Sequence, residues 1–320
     1  MERVNGLHHI TAIAGPAQEN LDFYAGILGM RLVKRSVNQD DPGTYHLFYA
    51  DADGHPGCDL TFFPWEKPAP PRIGYGLAVE TSLEIPEGSL SFWSERLRRY
   101  GIQTGDVDVR FGDRNLPLAD THGFRLSLVE SASPPRRAFT PWEHSPVPKD
   151  RQIRGLYGAR LWEQSAERTT LFLTKILGLL PQGEDSGWSR FGSGSNAGFV
   201  DIRQTPEKQR GAWGVGTVHH LAWRVRDDEH QLAMRDQLEK SGSRLTPVID
   251  RFWFKSVYFR EPGGVLFEIA TDGPGFAKDE NPAHLGEQLI LPPWLEFRRS
   301  ELEHVLAPIT LPVPDTTPHA

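Results

Sequence analysis

Several features that mark large classes of protein are missing from the sequence. Only one of its 320 residues is a cysteine, Cys58, which excludes an internal disulfide and a cysteine-ligated zinc site. No apolar run approaches the ~18–20 residues that a membrane-spanning helix needs. Residues 1–6 do not show the basic and then apolar pattern of a secretory signal. We therefore expect a cytoplasmic protein that does not bind membranes.

Basic residues are too few for a typical nucleic-acid-binding protein. The chain has 35 Lys and Arg against 42 Asp and Glu, so its net charge is −7 with neutral histidine. Because no basic stripe is present to meet phosphates, we expect no nucleic acid partner. The 31 Gly and 26 Pro favour many turns and short strands over a helical bundle. The composition leaves the oligomeric state open, including a homo-oligomer.

The sequence does contain internal repeats. An offset of 149 residues (155 minus 6) relates Gly6-Leu7 to Gly155-Leu156, and an offset of 141 (242 minus 101) relates Gly101 to Gly242. Each repeat is typical of a strand, a helix of three to four turns and three further strands. This βαβββ module occurs four times, at residues 5–66, 73–132, 152–206 and 214–272.

Proline-rich segments separate the modules and the halves of the chain. They lie at residues 64–71 and 133–150, and they predict an N-terminal domain over 1–150 and a C-terminal domain over 151–272. The remaining tail, 273–320, packs on the surface of the halves or covers a cup opening. It contains one predicted helix at 294–306, with an apolar side formed by Trp294, Phe297, Leu302, Val305 and Leu306.

Two histidine doublets occupy equivalent places in the repeats. His8-His9 and His219-His220 lie in the first strands of modules one and four, where neighbouring side chains point to opposite faces. If these modules pair across a pseudo-twofold axis, one histidine of each doublet faces the same concave sheet. Imidazole is a natural ligand for iron, manganese or zinc. The doublets therefore predict two metal ligands, His9 and His220.

A lone acid in an apolar strand supplies a third candidate ligand. Glu268 lies in the segment VLFEIA, residues 265–270, where a carboxylate is costly unless it is paired or metal-bound. Two histidines and one carboxylate on one face leave open coordination positions, as in non-haem Fe(II) sites that bind substrate and oxygen together. The structural alternative is a buried ion pair of Glu268 with Arg251 or Arg260.

The repeat registers indicate that modules two and three lack such ligands. The 141-residue offset places Val79 and Ser127 at the positions of His220 and Glu268, and the 149-residue offset places Gly158 at the position of His9. We therefore expect modules one and four to form an active cup, and modules two and three an inactive one.

Three segments resemble the vicinal oxygen chelate superfamily, which contains glyoxalases, bleomycin-resistance proteins and extradiol dioxygenases. They are LHHIT at 7–11, VHHLAW at 218–223 and EPGGVLFEIA at 261–270. Together with LPPWLE at 291–296 they are similar to the ring-cleaving dioxygenases that open hydroquinones. The resemblance implies an α+β fold in which the four βαβββ modules form two cup-like half-barrel domains. It also implies an Fe(II)-dependent dioxygenase that opens an aromatic diol with O2, Mn(II) being the other candidate metal.

The resemblance further implies site residues. The metal ligands match His9, His220 and Glu268, and the surrounding catalytic residues match His8, Thr11, His219, Arg251 and Tyr258. A tyrosine hydroxyl can donate to a bound phenolate, an arginine can stabilise developing negative charge, and a histidine can act as acid or base. We expect Arg251, Tyr258 and Glu268 to lie on the last strands of module four.

Three other functions are compatible with the residues. The first is a catechol-type extradiol dioxygenase, although such enzymes usually draw their ligands from adjacent modules and here the candidates come from modules one and four. A glyoxalase-type lyase or isomerase generally uses four ligands with two carboxylates, whereas Thr61 occupies the matching position here. A metal-free binding or resistance protein lacks ligands at these positions, whereas both doublets are present.

Overall fold

The computed structural model describes residues 2–65, 70–131, 137–194 and 198–312. Parts of both predicted linkers and the end of the tail lie outside these residues. The four βαβββ modules are present in the described chain, and each module contributes four strands. Two eight-stranded sheets result, each curled into a half-barrel cup, so the predicted fold class is confirmed.

The first sheet is built from both ends of the chain. Its strands, in spatial order, are β14 (Ile249–Asp250), β15 (Lys255–Arg260), β16 (Leu266–Thr271), β13 (Thr217–Val225), β1 (Leu7–Ala14), β4 (Asp59–Pro64), β3 (Asp41–Ala50) and β2 (Arg31–Asn38). These strands belong to modules one and four. Antiparallel pairing of β1 with β13 joins the two modules at the middle of the sheet.

The second sheet is built from the middle of the chain. Its strands, in spatial order, are β10 (Leu180–Asp185), β11 (Trp188–Gly192), β12 (Phe199–Gln204), β9 (Gly155–Glu163), β5 (Leu77–Pro86), β8 (Arg125–Ser131), β7 (Asp113–Ala119) and β6 (Asp108–Arg110). Each sheet therefore takes strands from both sides of residue 150. The division into domains 1–150 and 151–272 stays a prediction.

Helices cover the outer faces of the two sheets, where their apolar sides join one large core. The α-helices are α1 (Ala17–Leu21), α2 (Leu90–Arg99), α3 (Ala166–Lys175), α4 (Asp228–Lys240) and α5 (Arg299–Val305). Shorter helical segments are the π-helical Asp22–Ile27 and the 3₁₀ turns Lys149–Arg151, Phe276–Lys278, Pro282–His284 and Pro293–Arg298. No helix in the described ranges is long and apolar enough to cross a membrane.

Two predicted helices differ from the structure. The helix of module one, expected to run for three to four turns, is α-helical only over Ala17–Leu21 and continues in the π-helical form over Asp22–Ile27. The helix expected over 294–306 divides into a 3₁₀ segment and α5. Its predicted apolar side was wrong in part, because the structure buries Leu295, Leu302 and Leu306 and exposes Trp294, Phe297 and Val305.

The tail is held against the first sheet by a buried cation. The Lys34 side chain on β2 is fully buried, and its Nζ donates to Asp279 Oδ1 (2.8 Å) and to Glu280. The Trp253 indole also donates to Asp279. Since Trp253 lies in the wall of the cup, the tail supports that wall.

Candidate metal centre and its pocket

Three side chains converge at the bottom of the first cup. His9 Nε2 lies 3.2 Å from His220 Nε2 and 3.4 Å from Glu268 Oε2, and His220 Nε2 lies 3.0 Å from Glu268 Oε2. All three residues are buried. Among the described residues this is the one group of three side chains whose donor atoms lie close enough to hold a metal ion together.

Strand pairing explains the convergence. In the antiparallel pair β1–β13, Thr11 lies opposite His220, which brings His220 close to His9. In the parallel pair β13–β16, Ala222 lies opposite Glu268, two residues along the strand from His220. Side chains two residues apart share a face of a sheet, so the pairing directs all three side chains into the cup.

The three donors fit a divalent metal ion. Metal–nitrogen and metal–oxygen bonds of about 2.0–2.2 Å at right angles place two donors about 3 Å apart, close to the three observed separations. Glu268 Oε2 is buried and, among the described residues, faces the Nε2 atoms of His9 and His220 rather than a donor of fixed protonation, while Ser256 Oγ donates to Glu268 Oε1 at 2.5 Å. A buried carboxylate oxygen without a donor is costly unless a cation binds it.

The charge state of Glu268 suits a ligand. Burial alone would raise the pKa of Glu268, but the neighbouring His9 and His220 side chains hold it well below the usual range. The carboxylate is therefore ionised. The alternative pairing with arginine does not occur, because Arg251 pairs with Asp40 and Arg260 donates to the Gly264 carbonyl oxygen.

His8 sets the tautomer of His9. His8 Nε2 lies 3.1 Å from the Thr271 carbonyl oxygen. A carbonyl oxygen can only accept a hydrogen bond, so His8 Nε2 carries the hydrogen and donates it. Burial, and then the neighbouring His9, lower the pKa of His8 to about 3, so His8 is neutral and its Nδ1 is an acceptor. His9 Nδ1 lies 3.0 Å from that atom and donates to it. The lone pair of His9 is thereby placed on Nε2, which faces the other two donors.

The second doublet repeats this arrangement. His219 Nδ1 lies 2.8 Å from His220 Nδ1, and burial, with the neighbouring His220, lowers the pKa of His219 to about 3. If His220 Nδ1 donates, its Nε2 carries the lone pair and His219 keeps a hydrogen on Nε2. Trp213 stacks on the His219 ring at 4.3 Å and holds its orientation.

A cavity of about 280 Å³ lies beside the three-donor group, and its lining includes two of the three residues, His9 and His220. This volume suits one small aromatic ring rather than a drug-sized ligand. The polar lining includes His46, His219, Arg251 and Tyr258, and the aromatic lining is formed by Phe48, Phe63, Trp253 and Phe254. The pocket therefore offers flat apolar walls and a few polar groups beside the candidate metal centre.

Tyr258 and Arg251 lie on the module-four side of the pocket. Tyr258 is on β15, one of the last strands of module four, as predicted, and it lies directly opposite Glu268. Arg251 follows β14 and is outside a strand, which differs from the prediction. Burial, and next the Glu268 carboxylate, raise the pKa of Tyr258, so its hydroxyl is a neutral donor. The Arg251 guanidinium lies 5.4 Å from the centre of the Tyr258 ring.

The predicted residues His8 and Thr11 do not line the cavity. His8 lies behind His9 and contacts Phe254. Thr11 is fully buried, and its Oγ1 lies 3.0 Å from His220 Nε2 and 2.7 Å from Thr61 Oγ1. His8 and Thr11 are therefore placed to contact the candidate ligands, or the open side of the candidate metal centre, and not a substrate in the cavity.

Sequence reasoning missed His46 and Asp40. His46 lies in the cavity wall, packs on Phe48 at 3.8 Å and has its Nε2 2.9 Å from Thr61 Oγ1. Burial lowers the pKa of His46 well below its usual value, so it is neutral. The available signal was that His46 lies two positions before Phe48 on the same strand and so shares its face of the sheet. This spacing does not tell whether that face lines a pocket or faces solvent.

In the second cup, an arginine is paired with an aspartate. Arg190 donates two hydrogen bonds to Asp201, at 2.7 and 3.0 Å, and its guanidinium lies 3.9 Å from the Phe111 ring centre. Strand pairing places Asp201 opposite Arg160 and Arg190, on β9 and β11. A protein cation therefore neutralises the acid in this cup.

Comparisons with known proteins agree with this architecture. The chain is 43% identical over 308 residues to "Putative ring-cleaving dioxygenase MhqO" of Bacillus subtilis, covering 96% of this chain and 97% of the relative. It is 34% identical over 309 residues to "Chlorohydroquinone/hydroquinone 1,2-dioxygenase" of Sphingobium indicum, covering 94% and 95%. The crystal structure of a "putative dioxygenase" from Bacillus subtilis superposes with a TM-score of 0.91 at 42% identity, covering 98% and 99%.

More distant structures share the fold alone. Glyoxalase I from Zea mays superposes with a TM-score of 0.62 at 14% identity, covering 85% of this chain and 93% of that protein. The family profile of the Glyoxalase/Bleomycin resistance protein/Dioxygenase superfamily matches residues 6–130 and 159–269, which confirms the predicted resemblance. The chain belongs to the Glyoxalase/Bleomycin resistance protein/Dioxygenase superfamily.

Proposed function

We propose that this protein is a ring-cleaving dioxygenase that opens a hydroquinone with O2 and that uses Fe(II) held by His9, His220 and Glu268. The observation that carries the proposal is the group of three donors beside a cavity sized for one aromatic ring. The name of the Sphingobium relative includes a hydroquinone as substrate. His9, His220 and Glu268 would hold the iron, which would supply electron transfer between an aromatic diol and O2.

Residues of the pocket orient the diol and exclude water from it. The neutral Tyr258 hydroxyl donates to a phenolate oxygen of the substrate, and the Arg251 charge beside it stabilises negative charge on that oxygen. Phe48 and Phe254 hold the ring between apolar walls and exclude water.

Protons are held by the second histidine doublet and the threonines. His219 presents its Nε2 hydrogen to an oxygen at the open side of the centre. The Thr11 hydroxyl is linked to Thr61 and through Thr61 to His46. It donates a hydrogen bond on the side of the candidate metal centre opposite His219. His8 holds His9 in the tautomer that a ligand needs.

The proposal is tested by metal content and oxygen uptake. The protein is purified anaerobically, loaded with Fe(II), and assayed for O2 consumption with hydroquinone, methylhydroquinone and catechol. We expect uptake with the hydroquinones and ring-opened products. Bound iron without uptake on any diol would contradict the proposal, and uptake on catechol alone would assign the protein to the catechol-cleaving class.

Two controls separate the remaining functions. Protein loaded with Ni(II) or Zn(II) is assayed with a thiohemiacetal in the absence of O2, where turnover would identify a glyoxalase-type enzyme. The Thr61 hydroxyl, which stands where a second carboxylate would be needed, argues against this activity. A metal-free binding protein would show unchanged diol affinity in a His9→Ala variant, whereas we expect the affinity to fall.

A further inference from the structure

The rim of the candidate pocket carries one ion pair between two modules. Arg251 Nη2 and Nη1 donate to the Asp40 carboxylate at 2.7 and 3.1 Å, a two-bond geometry that is the strongest arginine–carboxylate arrangement. Asp40 belongs to the turn between β2 and β3 of module one, and Arg251 follows β14 of module four. Gln39, from the same turn, donates to the Arg251 carbonyl oxygen at 2.9 Å.

The two charges are balanced within the cavity lining. Arg251 is the one lysine or arginine among the described lining residues, and Asp40 is the one aspartate or glutamate. Among the described residues, the cavity lining thus offers an anionic ring substituent no lysine or arginine that lacks a carboxylate partner.

We propose that Asp40 is a specificity-determining residue that restricts the pocket to hydroquinones with uncharged substituents. The proposal rests on the proposed function and deepens it. A ring carboxylate in this pocket would meet the Asp40 charge and would find the guanidinium of Arg251 already bound. Selection against a substrate by an occupied or like-charged partner is a general route to specificity.

The accessibility of the two partners decides how the pair behaves. The Arg251 side chain is 12% exposed and that of Asp40 is 71% exposed. Removing the Asp40 charge therefore leaves a mostly buried guanidinium without its counter-ion, which favours binding of a replacement anion. A ring carboxylate delivered by a substrate supplies that anion. The change should appear as a gain for carboxylated rings and not merely as a loss for neutral ones.

The test compares two ligands that differ in one substituent, methylhydroquinone and 2,5-dihydroxybenzoate. Their dissociation constants are measured by calorimetry on the Zn(II)-loaded protein without O2, so the result does not depend on turnover. We expect wild type to prefer methylhydroquinone. In Asp40→Asn the affinity ratio should move toward the carboxylate by about tenfold, equivalent to 1.4 kcal/mol.

Three variants make the comparison specific. Asp40→Glu should keep the wild-type ratio, because the carboxylate is restored. Asp41→Asn removes a neighbouring exposed charge that contacts Thr44 and should leave the ratio unchanged. The double variant Asp40→Asn with Arg251→Gln should lose the gain. An unchanged ratio in a folded Asp40→Asn protein, or an equal gain in Asp41→Asn, would overturn the proposal. Absence of oxygen uptake by wild type would instead contradict the proposed function and leave this binding comparison valid.

Discussion

The Nδ1 atom of His8 lies 3.0 Å from the Nδ1 atom of His9. Since neutral His8 donates its one ring N–H, on Nε2, to the Thr271 carbonyl oxygen, its Nδ1 can only accept, so His9 carries its hydrogen on Nδ1 and its lone pair on Nε2. The second doublet places its two Nδ1 atoms 2.8 Å apart. We therefore expect each doublet to supply one metal ligand together with the residue that fixes the tautomer of that ligand.

Replacing His8 should weaken metal binding although His8 is not a ligand. In His8→Ala the His9 ring loses the acceptor that fixes its tautomer, and we expect metal affinity to fall about 10–100-fold. Competition with a chelator measures the affinity. His230 is also buried but binds the Arg3 carbonyl oxygen away from the site, so His230→Gln is the control. Unchanged metal affinity in His8→Ala would contradict the role of His8 in fixing the His9 tautomer.

Removing the Tyr258 hydroxyl should slow turnover and spare the metal. Tyr258→Phe keeps the ring and the wall of the pocket but cannot donate to a phenolate oxygen, so we expect kcat to fall by at least about 100-fold. Iron content, measured on the same samples, should match wild type. Tyr100→Phe, at a surface tyrosine, is the control. Loss of iron in Tyr258→Phe would show that the tyrosine supports the metal centre instead.

A carboxylate at Thr61 should convert the three-donor group toward a four-ligand set. Thr61 is fully buried, and its Oγ1 lies beside Thr11 Oγ1 and His46 Nε2. In Thr61→Glu the new carboxylate occupies an open coordination position, so we expect metal retention with oxygen uptake reduced at least about 100-fold. Thr61→Val is the matched control for loss of the hydroxyl alone. Oxygen uptake at the wild-type rate in folded, metal-loaded Thr61→Glu would contradict the placement of that position.

A buried pair of acids outside the site predicts a pH-dependent stability. Burial and the neighbouring Glu261 raise the pKa of Glu163 from 4.5 to about 9. Glu261 accepts hydrogen bonds from Thr169 and from the Gly263 amide, so Glu163 holds the proton. Between pH 4.5, the ordinary pKa that applies to the unfolded chain, and about pH 9, the pKa in the folded protein, the folded state binds a proton that the unfolded state has released. The contribution of Glu163 to the free energy of unfolding therefore falls as pH rises.

Urea unfolding of the metal-free protein from pH 5 to pH 9 measures this dependence. Glu163→Gln cannot ionise and should show a flatter decline than wild type. Glu167→Gln, at an exposed position, should follow wild type. Parallel curves for wild type and Glu163→Gln would contradict the raised pKa.

The four-module organisation and the arrangement of the candidate ligands were predictable from local patterns, whereas the half-barrel fold was implied by the family resemblance. Strand alternation and the repeat registers placed His9, His220 and Glu268 on central strands, and the structure brings their donor atoms together. Their role as metal ligands stays a prediction. The position of Tyr258 opposite Glu268 also follows from strand pairing.

Contacts between distant segments were not predictable. The pairing of Asp40 with Arg251 depends on how the turn of module one meets the loop of module four, and no short-range pattern encodes that meeting. The apolar side of the tail helix was predicted wrongly in part for a similar reason. Phe297 is apolar but 85% exposed, while Leu295 and Leu302 are buried, because packing against the sheet and not hydrophobicity alone selected the inner side.

Isotope incorporation tests the proposed chemistry most directly. Fe(II)-loaded protein is incubated with hydroquinone under ¹⁸O₂, and the product is reduced with borohydride at the quench so that its carbonyl oxygen cannot exchange with water. The account predicts a ring-opened product that carries two ¹⁸O atoms, one in the new carboxylate and one in the reduced carbonyl. An intact ring, or a product with one ¹⁸O atom or none, would contradict it.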